Sequence, residues 1–196
     1  LSTNYTDIQN LRNFLGILQD GEEVIVFAKI HGKNTRLGMI KDSNGEWVRK
    51  TGGKSIQRKQ VEGSVYWAGW SATGVEDLRV HLCSLPDVMQ VITFGEAYGR
   101  TQKMKYGIPG KVGFRAFDLM MNGSYLDWDN QVELFNRFKV ETAPVLYRGP
   151  FSLEKIKELS KGPSTIPGAD HIREGVVIRP VKERRHEKVG RVIFKY

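Results

Sequence analysis

The run Val24-Ile25-Val26-Phe27 is apolar at four successive positions and leads straight into Ala28-Lys29-Ile30-His31-Gly32. A short unbroken apolar run suits a strand buried in a core. The glycine in Lys-x-x-Gly permits a tight turn at its end. Lys29 therefore stands where a core strand stops, a place where an amine can be desolvated and held. Further segments follow in order: Phe94-Gly95-Glu96-Ala97-Tyr98-Gly99, Phe114-Arg115-Ala116-Phe117-Asp118, Glu174-Gly175-Val176-Val177-Ile178, and a terminal Lys195. Each sets a charged side chain beside strand-like apolar residues. Two lysines, two glutamates and an aspartate in such settings are what a nucleotide-activating site requires.

The rest of the chain reads as many strands with a few helices between them. Thr6 with Gln9 forms a capping pair, and Leu11, Phe14, Leu15 and Leu18 make an apolar stripe, so a first helix is expected, stopped by Gly21. Strands are expected over 24–30 and 36–40, with Asn44-Gly45 turning into a third around 46–50. A short helix over 75–84 ends near Pro86. Strands over 88–94 and 112–119 flank a glycine-rich, basic connection, and Asn122-Gly123 marks a hairpin. Helical spacing returns at 129–139 and at 152–161, the latter bracketed by Ser152 and Gly162. A loop over 163–170 precedes strands at 172–178 and 191–194, which are joined by the charged stretch 181–190. No strand–long helix unit repeats, so the expected fold class is α+β, with largely antiparallel sheets and flanking helices. Gly52-Gly53-Lys54-Ser55 is not a phosphate loop, because Val48 stands where that motif needs its first glycine and no helix pattern follows.

At 196 residues, 40% of them hydrophobic, the chain fits a single domain with a real core. It begins at Leu1 and stops inside an apolar run, so a trimmed piece of something larger is expected. No basic start leads into an apolar block, and the lone Cys83 suits a reducing, intracellular setting, cytoplasmic with the nucleus left open. The net charge of +8 is concentrated. Lys41, Arg49, Lys50, Lys54, Arg58 and Lys59 face only Asp42 and Glu46 within 41–60, and 179–195 holds seven Lys/Arg against Glu183 and Glu187. Such patches attract a polyanion, nucleic acid before a membrane surface, because neither forms an obvious amphipathic helix.

An amine attacks phosphorus only through its free lone pair, so a lysine nucleophile needs desolvation or a neighbouring cation. Lys195 can supply that charge and hold phosphate oxygens. His31 can contact phosphate or serve the turn, and Gly32 admits close backbone approach. Glu96 shares side-chain parity with Ile92 and Phe94, and Glu174 with Val176 and Ile178. A carboxylate on a buried strand face is costly unless it meets a sugar hydroxyl, a cation or a metal. Ribose suits Glu96, and metal or bound water suits Glu174. Phe117 and Asp118, being adjacent, are expected on opposite faces of their strand. Arg179 is expected on the face opposite Glu174 unless the strand bulges.

In their order and wording these segments resemble the adenylation domain of ATP-dependent RNA ligases, in the RNA-ligase-2-like branch of the covalent nucleotidyltransferase superfamily. Lys29-Ile30-His31-Gly32-Lys33-Asn34 is similar to the nucleophile motif, Phe94–Gly99 to the third motif, Phe114–Asp118 to the next, Glu174–Arg179 to the fourth, and Lys195 to the start of the fifth. The resemblance implies an ATP-grasp-like nucleotidyltransferase domain over 1–196. Lys29, Glu174 and Lys195 are implied as its catalytic residues. Ile30, His31, Gly32, Asn34, Arg49, Glu96, Phe117 and Arg179 are implied around the nucleotide, with Phe117 stacked on adenine. Glu174 and Asp118 are implied at the metal.

The same resemblance implies ATP as substrate, Mg²⁺ or Mn²⁺ as cofactor, and a monomer acting on RNA with 5′-phosphate and 3′-hydroxyl ends in a nicked duplex, with no membrane partner. A capping guanylyltransferase, a DNA ligase and a catalytically degenerate nucleic-acid-binding module are the alternatives. Two departures stand out. Lys33 replaces the usual threonine, and Arg36, Arg49 and Arg58 compete for the arginine of the phosphate site, with Arg49 preferred.

Overall fold

A computed structural model describes residues 3–100 and 102–196. The first half contains β1 (Gln9–Asn10), β2 (Glu23–Ala28), β3 (Lys33–Lys41), β4 (Trp47–Gly52), α1 (Val75–Cys83) and β5 (Gln90–Gly99). Then come β6 (Val112–Met121), β7 (Ser124–Tyr125), α2 (Trp128–Arg137), β8 (Val145–Pro150) and α3 (Leu153–Leu159). The chain closes with β9 (Val176–Pro180), β10 (Arg185–His186), β11 (Gly190–Arg191) and β12 (Phe194–Lys195). One five-stranded sheet has the order β4-β3-β5-β6-β7 and is antiparallel throughout. The other has the order β1-β12-β9-β2-β8, antiparallel except for β1 beside β12. The α+β class and the antiparallel sheets are as the sequence suggests.

Strand alternation sorts the core into layers. In β2, Val24 and Val26 pack outward with Ile156 of α3 and with Leu11, Ile17 and Leu18, while Ile25 and Phe27 point inward. In the β3–β6 sheet, Leu37, Met39, Val91 and Leu119 pack outward on Leu78 and Leu82 of α1 and Phe135 of α2. Inward-facing Ile92, Phe94 and Tyr98 look toward the other sheet. Both Asn-Gly turns form: Gly45 donates its N–H to the Asp42 carbonyl, and Asn122 and Gly123 both adopt positive φ between β6 and β7.

The expected first helix is absent. Residues 3–8 form no helix or strand, Gln9 and Asn10 pair in parallel with Phe194 and Lys195, and only a 3₁₀ turn over Leu11–Asn13 follows, capped by the Asn10 side chain. Sheet pairing with a distant strand supplies backbone hydrogen bonds that override the local helical pattern. Leu11 and Leu18 still bury, whereas Leu15 is 60% exposed. β8 was not expected, and β9 starts later than the sequence suggests. No helix among the described residues is long and apolar enough to cross a membrane.

Candidate active site

The turn after β2 is held by contacts from three separate parts of the chain. The Lys29 N–H donates to the Gly175 carbonyl at 3.0 Å, and the His31 N–H donates to the Tyr106 hydroxyl oxygen at 2.7 Å. Gly32 lies so close to β5 that a Cβ there would sit 2.4 Å from the Ala97 carbonyl oxygen and 2.8 Å from Glu96 Cγ. Gly175 is equally hemmed in, its would-be Cβ 2.5 Å from the Tyr196 carbonyl oxygen. Two glycines thus let the turn after Lys29 and the strand after Glu174 sit close against their neighbours. Lys29 Nζ lies 2.6 Å from Glu174 Oε1, and His31 Nδ1 lies 3.5 Å from the same oxygen.

Lys29 opens into a cavity between the two sheets. Phe27, Ala28, Ile30 and Val177 form one wall, Asn34, Glu96 and Phe117 another, and Lys54 and Lys195 line it too. Phe117 reaches the cavity because β6 bulges. Phe94 pairs with Asp118 and Gly95 with Ala116, so Phe117 is the extra residue. A bulge re-aims side chains, and here it turns both Phe117 and Asp118 inward, contrary to the simple alternation expected. Gln131 secures the bulge: its amide nitrogen donates to the Phe117 carbonyl at 3.0 Å, and its oxygen accepts from the Leu119 N–H at 3.2 Å. The segment Tyr5–Ile8 completes the wall. Tyr5 lies against Phe117 with ring centroids 5.2 Å apart, and Asp7 forms an ion pair with Lys54.

Asn34 and Glu96 are cross-strand partners, so both side chains share one face. Asn34 Oδ1 is buried and has no hydrogen-bond partner among the described residues. Burial pushes the Glu96 carboxyl up to about 8, with Lys29 pulling it down and Glu174 adding to the rise. An orphan acceptor beside a carboxyl held near neutrality suits the hydroxyls of a bound sugar. Among the described residues no three His, Cys, Asp or Glu side chains gather into a metal cage. A hard divalent ion fits here only when phosphate oxygens of a substrate supply most of its ligands beside Glu174.

Three expected assignments are corrected. Asp118 is fully buried and accepts hydrogen bonds from Tyr5 Oη at 2.5 Å, Arg179 Nη1 at 2.7 Å and Arg191 at 2.8 Å. Its oxygens are saturated by this ion cluster and are not offered to a metal. Arg179 is equally buried; it also pairs with Glu183 at 2.6 Å and donates to the Leu126 carbonyl, so it ties the two sheets together and does not line the cavity. Arg49 lies on the outer side of its sheet, 4.3 Å over the Trp70 ring and paired with Glu76 at 3.0 Å, away from the cavity. Lys29, Ile30, Asn34, Glu96, Phe117 and Lys195 do converge, with His31, Gly32 and Glu174 at the edge. Lys54 and Tyr5 were missed. Lys54 stood out in a basic run and in the rejected Gly52-Gly53-Lys54-Ser55 pattern, neither of which places it in the cavity, and Tyr5 carries no local signal.

The RNA ligase family model matches residues 22–196. The chain belongs to the RNA ligase family. Solved RNA ligase structures from Naegleria gruberi share its fold. A variant with AMP and Mn gives a TM-score of 0.77 at 18% identity, covering 98% of this chain and 55% of that one. A variant with ATP and Mn gives 0.75 at 18% identity, covering 98% and 54%. The ligase with PPi gives 0.75 at 18% identity, covering 98% and 55%. This family member thus spans about half the length of those ligases. No curated protein matches the chain significantly.

Proposed function

We propose that this chain is the nucleotide-activating domain of an ATP-dependent RNA ligase. The observation that carries the reading is the Lys29 amine, held 2.6 Å from Glu174 at the mouth of a cavity whose walls present Glu96, Asn34, Phe117, Lys54 and Lys195. Adenine would stack on Phe117, ribose hydroxyls would meet Glu96 and Asn34, and the triphosphate would lie toward Lys29 and Lys195. Its arrival would displace the Lys29–Glu174 pair, the carboxylate being the nearest acceptor for the proton that Nζ must lose. The Nζ–P bond then forms at the α-phosphorus as the P–O bond to pyrophosphate breaks, leaving a lysyl-AMP phosphoramidate.

Lys195 and Lys54 would stabilise charge gathering on phosphate oxygens. A divalent ion, Mg²⁺ or Mn²⁺, would neutralise phosphate charge and orient the oxygens when bound. AMP would next pass to an RNA 5′-phosphate, breaking Nζ–P, and a 3′-hydroxyl would displace it to form the phosphodiester. The concentrated positive charge of the chain suits such a partner, and a nicked RNA duplex is the proposed substrate.

Intact mass after exposure to ATP and Mg²⁺ tests the reading. A gain of about 329 Da, acid-labile and absent in Lys29→Ala, is expected for a phosphoramidate of AMP. No gain in the wild-type chain, or an equal gain in Lys29→Ala, would overturn it. Labelling by GTP in place of ATP would point to a capping enzyme.

A further inference from the structure

Tyr106 occupies a conformation that its residue type disfavours. Its φ is +50°, and Gly107 follows at +74°, with the Ile108 N–H closing the turn onto the Lys105 carbonyl at 3.0 Å. Both central positions of such a turn ordinarily hold Asn, Asp or Gly, because a bulky side chain is strained there. Strained backbone persists only where its surroundings hold it, and it gathers at functional sites. What the strain secures is visible in the contacts. Tyr106 is 2% exposed, its hydroxyl oxygen accepts the His31 N–H at 2.7 Å, and its ring stands edge-on to His171 with centroids 4.5 Å apart. The hydroxyl itself donates to the soft Met104 sulfur at 3.9 Å. Gly107 packs tightly on the segment at Gly168, where a Cβ would come within 2.4 Å of the Gly168 carbonyl oxygen.

His31 lies two residues beyond Lys29, and His171 three residues before Glu174. One side chain therefore touches both segments that carry the Lys29–Glu174 pair, at the His31 backbone and at the His171 ring. We propose that Tyr106 is a positioning residue for the nucleophile: its hydroxyl pins the turn at His31 and its ring steadies the segment leading to Glu174. This rests on the adenylylation reading above. Tyr106 touches no reacting atom; it fixes where Nζ stands when the α-phosphorus arrives, and small misplacements of a nucleophile are costly.

Tyr106→Phe keeps the ring and removes only the acceptor, leaving the His31 N–H without its partner. Tyr147→Phe is the control, since that hydroxyl bonds the Pro150 carbonyl at the far end of β8. Two readouts are taken: single-turnover labelling with α-labelled ATP and Mg²⁺ across ATP concentrations, and amide hydrogen exchange at His31 in the free protein. Tyr106→Phe should lower the rate constant at saturating ATP by about tenfold or more while half-saturation moves less than about threefold, the pattern of a misplaced nucleophile with intact binding. Exchange at His31 should quicken about tenfold, as for one lost hydrogen bond of ordinary strength, with β2 and β5 unchanged. Equal labelling rates in the two Phe variants, or unchanged protection at His31, would overturn the proposal. A wild-type chain that never labels overturns the ligase reading instead, and the exchange comparison alone then decides the brace.

Discussion

Replacing Asp118 by asparagine separates a structural carboxylate from a metal ligand. The substitution preserves volume and can still meet the Tyr5 hydroxyl, but it removes the charge that two buried guanidiniums share. Breaking a buried ion pair from one side costs roughly 3–5 kcal/mol, because the partner is left buried without compensation. The lower end applies here, since Glu183 remains 2.6 Å from Arg179 and 2.7 Å from Arg191. About 3 kcal/mol in a chain of 196 residues is a fall in melting temperature of roughly 6–12 °C.

Urea unfolding in the presence of a chelator measures the effect directly. Burial alone would raise the Asp118 carboxyl, but Arg191 and Arg179 outweigh that and hold it below the usual range. A depressed carboxyl contributes stability that is complete above the ordinary carboxylate pKa and is lost as pH falls through the folded value. The gap between wild type and variant should therefore be full at neutral pH and narrow in acid. A loss under about 1 kcal/mol, or one that appears only when Mg²⁺ is added, would refute the structural assignment.

Glu96→Gln removes a pH dependence of the opposite sign. With the Glu96 carboxyl raised to about 8 by burial, the protein favours its neutral form, so the associated stability is complete in acid and is lost as pH rises toward and through that value. Unfolding free energies at pH 5 and pH 9 should fall more steeply in the wild type than in the glutamine variant, and parallel slopes would remove Glu96 as the cause. Phe117→Ala should weaken ATP capture by about tenfold, the scale of a lost base–aromatic contact of roughly 1–3 kcal/mol. It should leave the labelling rate at saturation nearly unchanged, which a titration of labelling against ATP reads directly.

Local chemistry was legible where the chain decides locally. Asn44-Gly45 and Asn122-Gly123 turn as their dipeptides require, Ser152 caps α3 by accepting the Lys155 N–H, and the inward parity of Glu96 with Ile92 and Phe94 follows from strand alternation. The misreadings share a cause, which is distance along the chain. Asp118 looked available because its partners Tyr5, Arg179 and Arg191 stand 113, 61 and 73 residues away. Arg49 looked like a phosphate ligand because its stacking on Trp70 and pairing with Glu76 belong to the outer layer, which no periodicity in β4 announces. The first helix failed for the same reason, its would-be opening turn being drawn into pairing with β12. β8 escaped notice because Val145-Leu-Tyr-Arg-Gly-Pro150 combines no clean alternation with two breakers. The bulge at Phe117 has no signature in Phe114–Asp118 at all; it becomes visible only as a slipped register against β5.

The order β1-β12-β9-β2-β8 has a kinetic consequence. Three of the four pairings in that sheet join an early strand to a late one: β2 with β8, β2 with β9, and β1 with β12. The other sheet draws on strands nearer to one another along the chain and can assemble earlier, while this one must close larger loops first, which slows formation of its pairings. The cavity between the sheets draws on residues from Tyr5 to Lys195. During synthesis, then, Lys29 would be translated long before the cavity around it exists, and a chain still emerging would carry it as a solvated amine until β12 paired.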